Sequence, residues 1–241
     1  TGIPGMERNI RWLGELLILK RLISVLRSEQ PDILHLNSPK MAGLGAFAGW
    51  VLGVPKIIVT IHGWSFFENR NVVARAAIWL FSWLTAVFAH KIIVITRRDY
   101  RAAQNFPFIV KRKFVLIPNG VEKNINFMER AAARKELQNL TKFDGIPFIV
   151  GTITELTANK DLPTLIRAAA KFPQNAICVI IGGGEDEAHL KKLTSELGLT
   201  RKIFLTGFVA DAQRLLKGLD CFVLTSIIEG LPYVIMEAMM G

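Results

Sequence analysis

The stretch "EGLPYVIME" sets two carboxylates, Glu229 and Glu237, eight positions apart, on either side of a turn that leads into a helix. An apolar strand, "CFVLTS", precedes it, and Pro232 suits a first helical position. The backbone N–H groups after Gly230 then have no partners inside the helix and can hold diphosphate or sugar oxygens. Glu229, ahead of the helix, can accept hydrogen bonds from sugar hydroxyls. Glu237, about one turn in, can accept both hydroxyls of a ribose, as an ionised carboxylate does well. The plainer alternative is a helix whose Glu237 only faces water, although Met236 and Ala238 flank it.

A cation is available for the same ligand. Lys160 follows "FIVGTI" and comes just before the helical run "DLPTLIRAAA", with Asp161 as a candidate N-cap. A helix start and an ammonium both favour phosphate; a solvated surface lysine is the alternative. Lysine for phosphate, one glutamate for ribose and one for a sugar together match a nucleotide-diphosphate sugar. His62 ends the strand "PKIIVTIHG" and is expected to face the crevice, able to bind a sugar hydroxyl or phosphate oxygen or to act as a base. His35 lies within a strand, with packing as open a reading as ligand contact, while His90 and His189 read as structural or solvated. "GGGEDE" lacks the GxGxxG spacing of a dinucleotide site, and its acids are expected to occupy the first helical turn and repel diphosphate.

These residues sit at the ends of apolar runs that alternate with helical patterns, "DILHLN", "PKIIVTIHG", "HKIIVI" and "KRKFVLI" first, then "IPFIVGTI", "AICVIIGGG", "KIFLTGFV" and "DCFVLTS". Strand–helix units at this spacing predict parallel sheets covered on both faces, with ligands bound beyond the C-terminal strand ends. Pro118, Asn119 and Gly120 break the pattern. The expected architecture is α/β, with two doubly wound domains, 1–122 and 123–241. "VVARAAIWLFSWLTAVFAHKIIVI" is apolar, but Arg75, His90 and Lys91 interrupt it, so a helix followed by a core strand is expected instead of a membrane span. Trp79 and Trp83 share a face of that helix, to be used either in the core or on a lipid surface.

Charge is unevenly spread. Up to Gly120 there are sixteen Lys/Arg and six Asp/Glu, and beyond it fourteen of each, for a net +10. The basic half, with Arg8, Arg11, Arg97, Arg98, Lys111, Arg112 and Lys113 among its cations, suits an anionic partner and predicts peripheral contact with an anionic membrane. Nucleic acid is not expected as a partner, because no recognition motif is present and the basic residues flank buried strands. Cys178 and Cys221 lie in apolar runs, read as buried thiols of a reducing compartment, and have no zinc-ligand spacing. The opening "TGIPGMERNIRW" reads as an internal loop, so both ends are expected to be cut.

"EGLPYVIMEA" resembles the E-x7-E signature of the retaining glycosyltransferases of family 4, which have the GT-B fold. "DILHLNSPKMAGLGAFAG", "VTIHGWSF", "KIIVITRRDYRAA", "VLIPNGV", "KDLPTLIRAA" and "IFLTGFV" resemble that family's landmarks in the same order. The resemblance implies that Glu229 contacts the donor sugar, Glu237 the ribose and Lys160 the departing diphosphate. It implies that His62 contacts the transferred sugar, that Gly230 and Leu231 contact phosphate and sugar, and that Gly207, Phe208 and Val209 lie near the base. The implied reaction moves a sugar from a nucleotide-diphosphate donor to a glycan or polyprenyl-linked acceptor, for cell-surface polysaccharide, in the cytoplasm at the inner face of the plasma membrane. No cofactor is implied, and no metal is required, since no Asp-x-Asp pair is present. Glu155 departs from the pattern: the family has an arginine five positions before the lysine. If Glu155 points inward it is expected to pair with Lys160. That departure keeps open an impaired or non-catalytic relative that binds sugar nucleotide or membrane; a sugar-nucleotide epimerase of the same fold is the other alternative.

Overall fold

The computed structural model describes residues 12–68, 70–143 and 145–241. Arg8, Arg11 and most of the opening loop lie outside them. The chain divides into two compact units between Asn119 and Gly120.

In the first unit the elements run α1 (Trp12–Glu29), β1 (Ile33–Leu36), α2 (Pro39–Val51), β2 (Lys56–Ile61), α3 (Val72–Phe88), β3 (Lys91–Val94), α4 (Arg97–Ala103) and β4 (Phe114–Leu116). The strands form one parallel sheet in the order β1-β2-β3-β4. Ile57, Val59, Ile92 and Val94 are fully buried, as central parallel strands require. The small residues of α2 have a packing reason: a Cβ on Gly45 would lie 2.5 Å from Leu36 Cδ2, and one on Gly49 2.8 Å from Leu34 Cδ2. Two histidines serve the scaffold. His90 Nδ1 accepts the Ile57 N–H at 3.0 Å, and His35 Nε2 lies 2.8 Å from Thr60 Oγ1. No helix among the described residues is long and apolar enough to cross a membrane.

The second unit runs α5 (Arg130–Thr141), β5 (Phe148–Ile153), α6 (Leu162–Ala169), β6 (Ala176–Ile181), α7 (Glu187–Glu196), β7 (Ile203–Gly207), β8 (Cys221–Phe222) and α8 (Tyr233–Met240). All pairs are parallel, and the order is β7-β6-β5-β8. β6 shows why helices cover both faces. Its alternate residues enter two different cores: Ile177, Val179 and Ile181 pack with Ala133, Leu137, Leu215 and Leu216, and Cys178 and Ile180 with Leu162, Ile166 and Leu190.

Several elements depart from the sequence reading. Helix α5 was not expected; it buries Ala133 and Leu137, too narrow an apolar face to stand out. "DAQRLLKGL" forms a 3-10 helix, 212–218. The last strand is only Cys221–Phe222, so Val223 lies outside it, although the Val223 N–H still reaches the Gly151 carbonyl at 2.9 Å. Asp220, just before this strand, accepts the Ile149 N–H at 2.8 Å and pairs with Arg130 and Arg134. Burial alone would raise the Asp220 carboxyl, but the Ile149 amide and the two guanidiniums outweigh it and hold it below its ordinary range. Cys178 is buried, which pushes its thiol up to about 12, whereas Cys221 is exposed, against expectation.

Candidate functional site

The order β7-β6-β5-β8 contains a reversal. Successive strands step outward from β5 to β7, and the chain then returns to place β8 on the other side of β5. Loops leaving β5 and β8 diverge at such a point and open a crevice beyond the carboxyl ends of the strands. Lys160 lies in the loop after β5, and Glu229 in the loop after β8.

The structure brings these two together. Lys160 Nζ donates to Glu229 Oε1 at 2.6 Å, with both side chains about one quarter exposed or less. Three more hydrogen bonds join the loops. Thr225 Oγ1 donates to the Lys160 carbonyl at 2.9 Å, the Ile227 N–H to the Asn159 carbonyl at 3.0 Å, and Asn159 Nδ2 to the Ile228 carbonyl at 3.1 Å. Lys160 closes a 3-10 turn, 158–160. Asp161 follows with φ 44° and makes no side-chain cap, so the expected N-cap at Asp161 is replaced by backbone geometry. The expected Glu155–Lys160 pair does not form either: Glu155 is exposed, and the lysine goes to Glu229. Asn159 and Thr225 were missed by the sequence reading, because contacts between loops far apart in the chain leave no local signal.

Glu237 lies in the second turn of α8, which starts at Tyr233, one residue later than expected, with Pro232 in the cap position. It is half-buried and not part of the hydrogen-bonded group around Lys160. Burial pushes its carboxyl above the ordinary range. Gly230 and Leu231 form the turn between the two acids, both half-buried.

The triple glycine packs against the loop after β5. A Cβ on Gly182, where φ is 148°, would lie 1.8 Å from the Thr154 carbonyl oxygen, and one on Gly184 2.3 Å from that of Leu156. Leu156 N–H donates to the Gly183 carbonyl, and Asp186 N–H to that of Leu156, both at 3.0 Å. Of the three acids that follow, only Glu187 enters α7. Gly207, with φ 76°, accepts the Gly182 N–H at 2.9 Å. Beside it Phe208 is 82 % exposed and Val209 packs on the core. His62, in the first unit, is exposed just past the end of β2.

The described residues contain no group of three His, Cys, Asp or Glu side chains placed to hold a metal ion.

The "Glycosyltransferase Family 4" pattern matches residues 3–124, and "Glycosyl transferases group 1" matches residues 133–240. The chain belongs to glycosyltransferase family 4. Among curated relatives of this family 4 chain is an Escherichia coli UDP-Gal:alpha-D-GlcNAc-diphosphoundecaprenol alpha-1,3-galactosyltransferase, 28% identical over 98% of the chain and 62% of the relative. The chain thus spans about three-fifths of that relative's length. Among solved structures, Anabaena HepE in complex with UDP-glucose superposes with TM-score 0.79 at 22% identity, over 95% of this chain and 63% of HepE. The sucrose-phosphate synthase of Thermosynechococcus elongatus gives 0.76 at 18%, over 99% of this chain and 60% of the synthase. With the two parallel sheets, these likenesses show a GT-B-like fold.

Proposed function

We propose that the protein to which this chain belongs is a retaining glycosyltransferase that moves a sugar from a nucleotide-diphosphate sugar to a glycan or lipid-linked acceptor in cell-surface polysaccharide synthesis. The observation that carries the reading is the 2.6 Å Lys160–Glu229 contact at the strand reversal. It puts a phosphate-seeking cation and a hydroxyl-accepting carboxylate within one crevice. The galactosyltransferase relative, whose name gives a UDP-sugar donor and a diphosphoundecaprenol acceptor, supports the donor and acceptor classes.

In this reading the bond between the anomeric carbon and the diphosphate oxygen breaks, and a bond to the acceptor hydroxyl oxygen forms on the same face of the sugar. The hydroxyl proton passes to the leaving phosphate. Lys160 and the N–H groups near Gly230 stabilise charge on that phosphate as it develops. Glu229 and His62 bind the transferred sugar, Glu237 holds the ribose, and Gly207, Phe208 and Val209 border the base. No metal ion is needed in this scheme.

Glu155 supports a second reading, a relative that binds donor without turning it over, because it puts an anion where the family has a cation. Calorimetry with UDP and GDP on the parent, Glu237→Ala and Lys160→Ala, followed by a transfer assay, tests both. Loss of nucleotide affinity in Glu237→Ala is expected; unchanged affinity removes the ribose assignment. Donor binding without transfer in the full-length protein selects the second reading.

A further inference from the structure

Ile61 and Val94 are paired neighbours at the carboxyl ends of β2 and β3, so the loops leaving these strands start side by side. The first loop carries His62. The second leads into α4, which has Thr96 as its N-cap and Asp99 three positions further on. Thr96 Oγ1 accepts the Asp99 N–H at 3.0 Å and donates to Asp99 Oδ2 at 2.7 Å. In a capping box the acid at this position turns back to the amide of the cap residue. Asp99 instead reaches across to the other loop, where its Oδ1 accepts the Trp64 N–H at 3.3 Å. Its carbonyl also accepts the Trp64 Nε1–H, at 3.0 Å. Asp99 thus holds Trp64 by both backbone and ring. Asp99 is 3% exposed, and a carboxylate taken out of water needs hydrogen bonds in exchange. Thr96 alone caps α4, so the helix does not require that carboxylate. The Trp64 amide does.

The segment beyond Trp64 is fixed as well. The buried Trp64 ring stacks on Phe66 at 5.5 Å and meets Phe106 edge-on at 5.2 Å. The Trp64 carbonyl accepts the Phe67 N–H at 3.0 Å, closing a 3-10 turn, 65–67. Arg75 Nε donates to the Phe66 carbonyl at 3.2 Å, and the Arg98 guanidinium lies 4.0 Å over the Phe67 ring. Between this turn and His62 stands Gly63, with φ 141°, a conformation that favours glycine. His62 therefore has β2 on one side and a fastened residue two positions away on the other, while its own side chain is exposed. An open ring on an immobile backbone suits a side chain that meets a ligand, because the geometry is set before the ligand arrives.

We infer that Asp99 is a positioning residue: through Trp64 it fixes where His62 stands beyond the carboxyl end of β2. The inference deepens the proposed function and rests on its assignment of His62 to the transferred sugar.

Proton–carbon NMR of the histidine rings in the full-length protein tests it, with the His62 signal identified by its loss in His62→Ala. Asp99→Ala is expected to move the His62 signal. Asp99→Asn keeps an Oδ1 for the Trp64 amide and is expected to restore it. Kinetics use hydrolysis of UDP-galactose, UDP-glucose or GDP-mannose, whichever the parent turns over fastest. Asp99→Ala is expected to lower kcat/KM about tenfold or more, with UDP affinity by calorimetry kept within about twofold and Asp99→Asn within about threefold of the parent. In a His62→Ala background Asp99→Ala should cost less than about twofold more, since the two act as one unit. Trp64→Phe removes the ring bond and leaves the carboxylate, so it gives a smaller shift of the same signal should Asp99→Ala fold poorly. A His62 signal unmoved in both variants overturns the inference. So does a loss from Asp99→Ala that is as large without His62 as with it, or a UDP affinity that falls with the rate. A slow His62→Ala beside an Asp99→Ala at the parent's rate overturns the inference alone, whereas His62→Ala at the parent's rate overturns the sugar assignment and the inference with it.

Discussion

Lys160 and Glu229 are 69 residues apart in the chain and 2.6 Å apart in space. A nucleotide diphosphate and Glu229 would draw on the same ammonium. Lys160→Ala is expected to slow transfer by about 10- to 150-fold, the worth of one charged hydrogen bond at roughly 1.5–3 kcal/mol. Because both side chains are partly solvated, stability should fall by about 1 kcal/mol or less. Parallel transfer assays and thermal melts check this. A melt that drops as steeply as the rate would make the pair structural.

Glu237 gives a pH prediction. Its folded carboxyl holds the proton more tightly than the unfolded one, because burial disfavours the charge. The stability it contributes is therefore complete below the ordinary glutamate range, about 4.3, and is lost as pH rises through the raised folded value. Glu237→Gln should melt higher than the parent at neutral pH, with the gap closing near pH 4. It should also bind nucleotide more weakly. Melting curves at several pH values, with calorimetry, would register the two opposite effects.

Asp220 behaves in the opposite sense. Its folded carboxyl is depressed, so the stability it contributes is present above its ordinary value and is lost as pH falls through the folded one. Asp220→Asn leaves Arg130 and Arg134 without their anion and should cost about 1.5–3 kcal/mol at neutral pH. Urea unfolding at pH 7 and pH 3 should show that loss shrinking in acid.

Gly182→Ala is expected to be severe. The added Cβ would meet backbone at Thr154, which cannot rotate away, and φ of 148° strains any L side chain. We expect a loss of about 2 kcal/mol or more and a displaced 154–156 loop. Gly198→Ala, where nothing lies within 4 Å, separates backbone strain from collision.

Glu155→Arg in the full-length protein should speed transfer by roughly ten- to a thousandfold, for about 1.4–4 kcal/mol of added charge stabilisation. Since Glu155 is exposed and does not hold Lys160, the gain would come from the new cation and not from releasing the lysine. A rate no faster than the parent's withdraws the diphosphate position at residue 155.

Apolar runs made the central strands legible: Val59, Ile61, Val94, Val115, Ile149 and Ile180 all lie in strands, as expected. Val223 does not, because β8 is held by two residues and apolarity alone cannot say where pairing stops. Helix α5 buries too few side chains to show a period. Lys160 and Glu229 could be singled out from their places after strands and before helices. Their contact could not, nor could the bonds from Asn159 and Thr225, because strand order decides which loops meet. Cys221 was misread because the apolarity of a run does not say which of its residues are covered.

The fastening of the 225–228 segment to the 158–160 turn has a temporal consequence. A ribosome that adds about 5–20 residues per second emits Glu229 roughly 3–14 s after Lys160. In that interval β5, β6 and β7 can pair, because they are consecutive in both sequence and sheet. Asn159 and the carbonyls of its turn have therefore been synthesised before the loop that bonds to them emerges. The order of synthesis thus allows the earlier half of the crevice to form first and the later half to close against it.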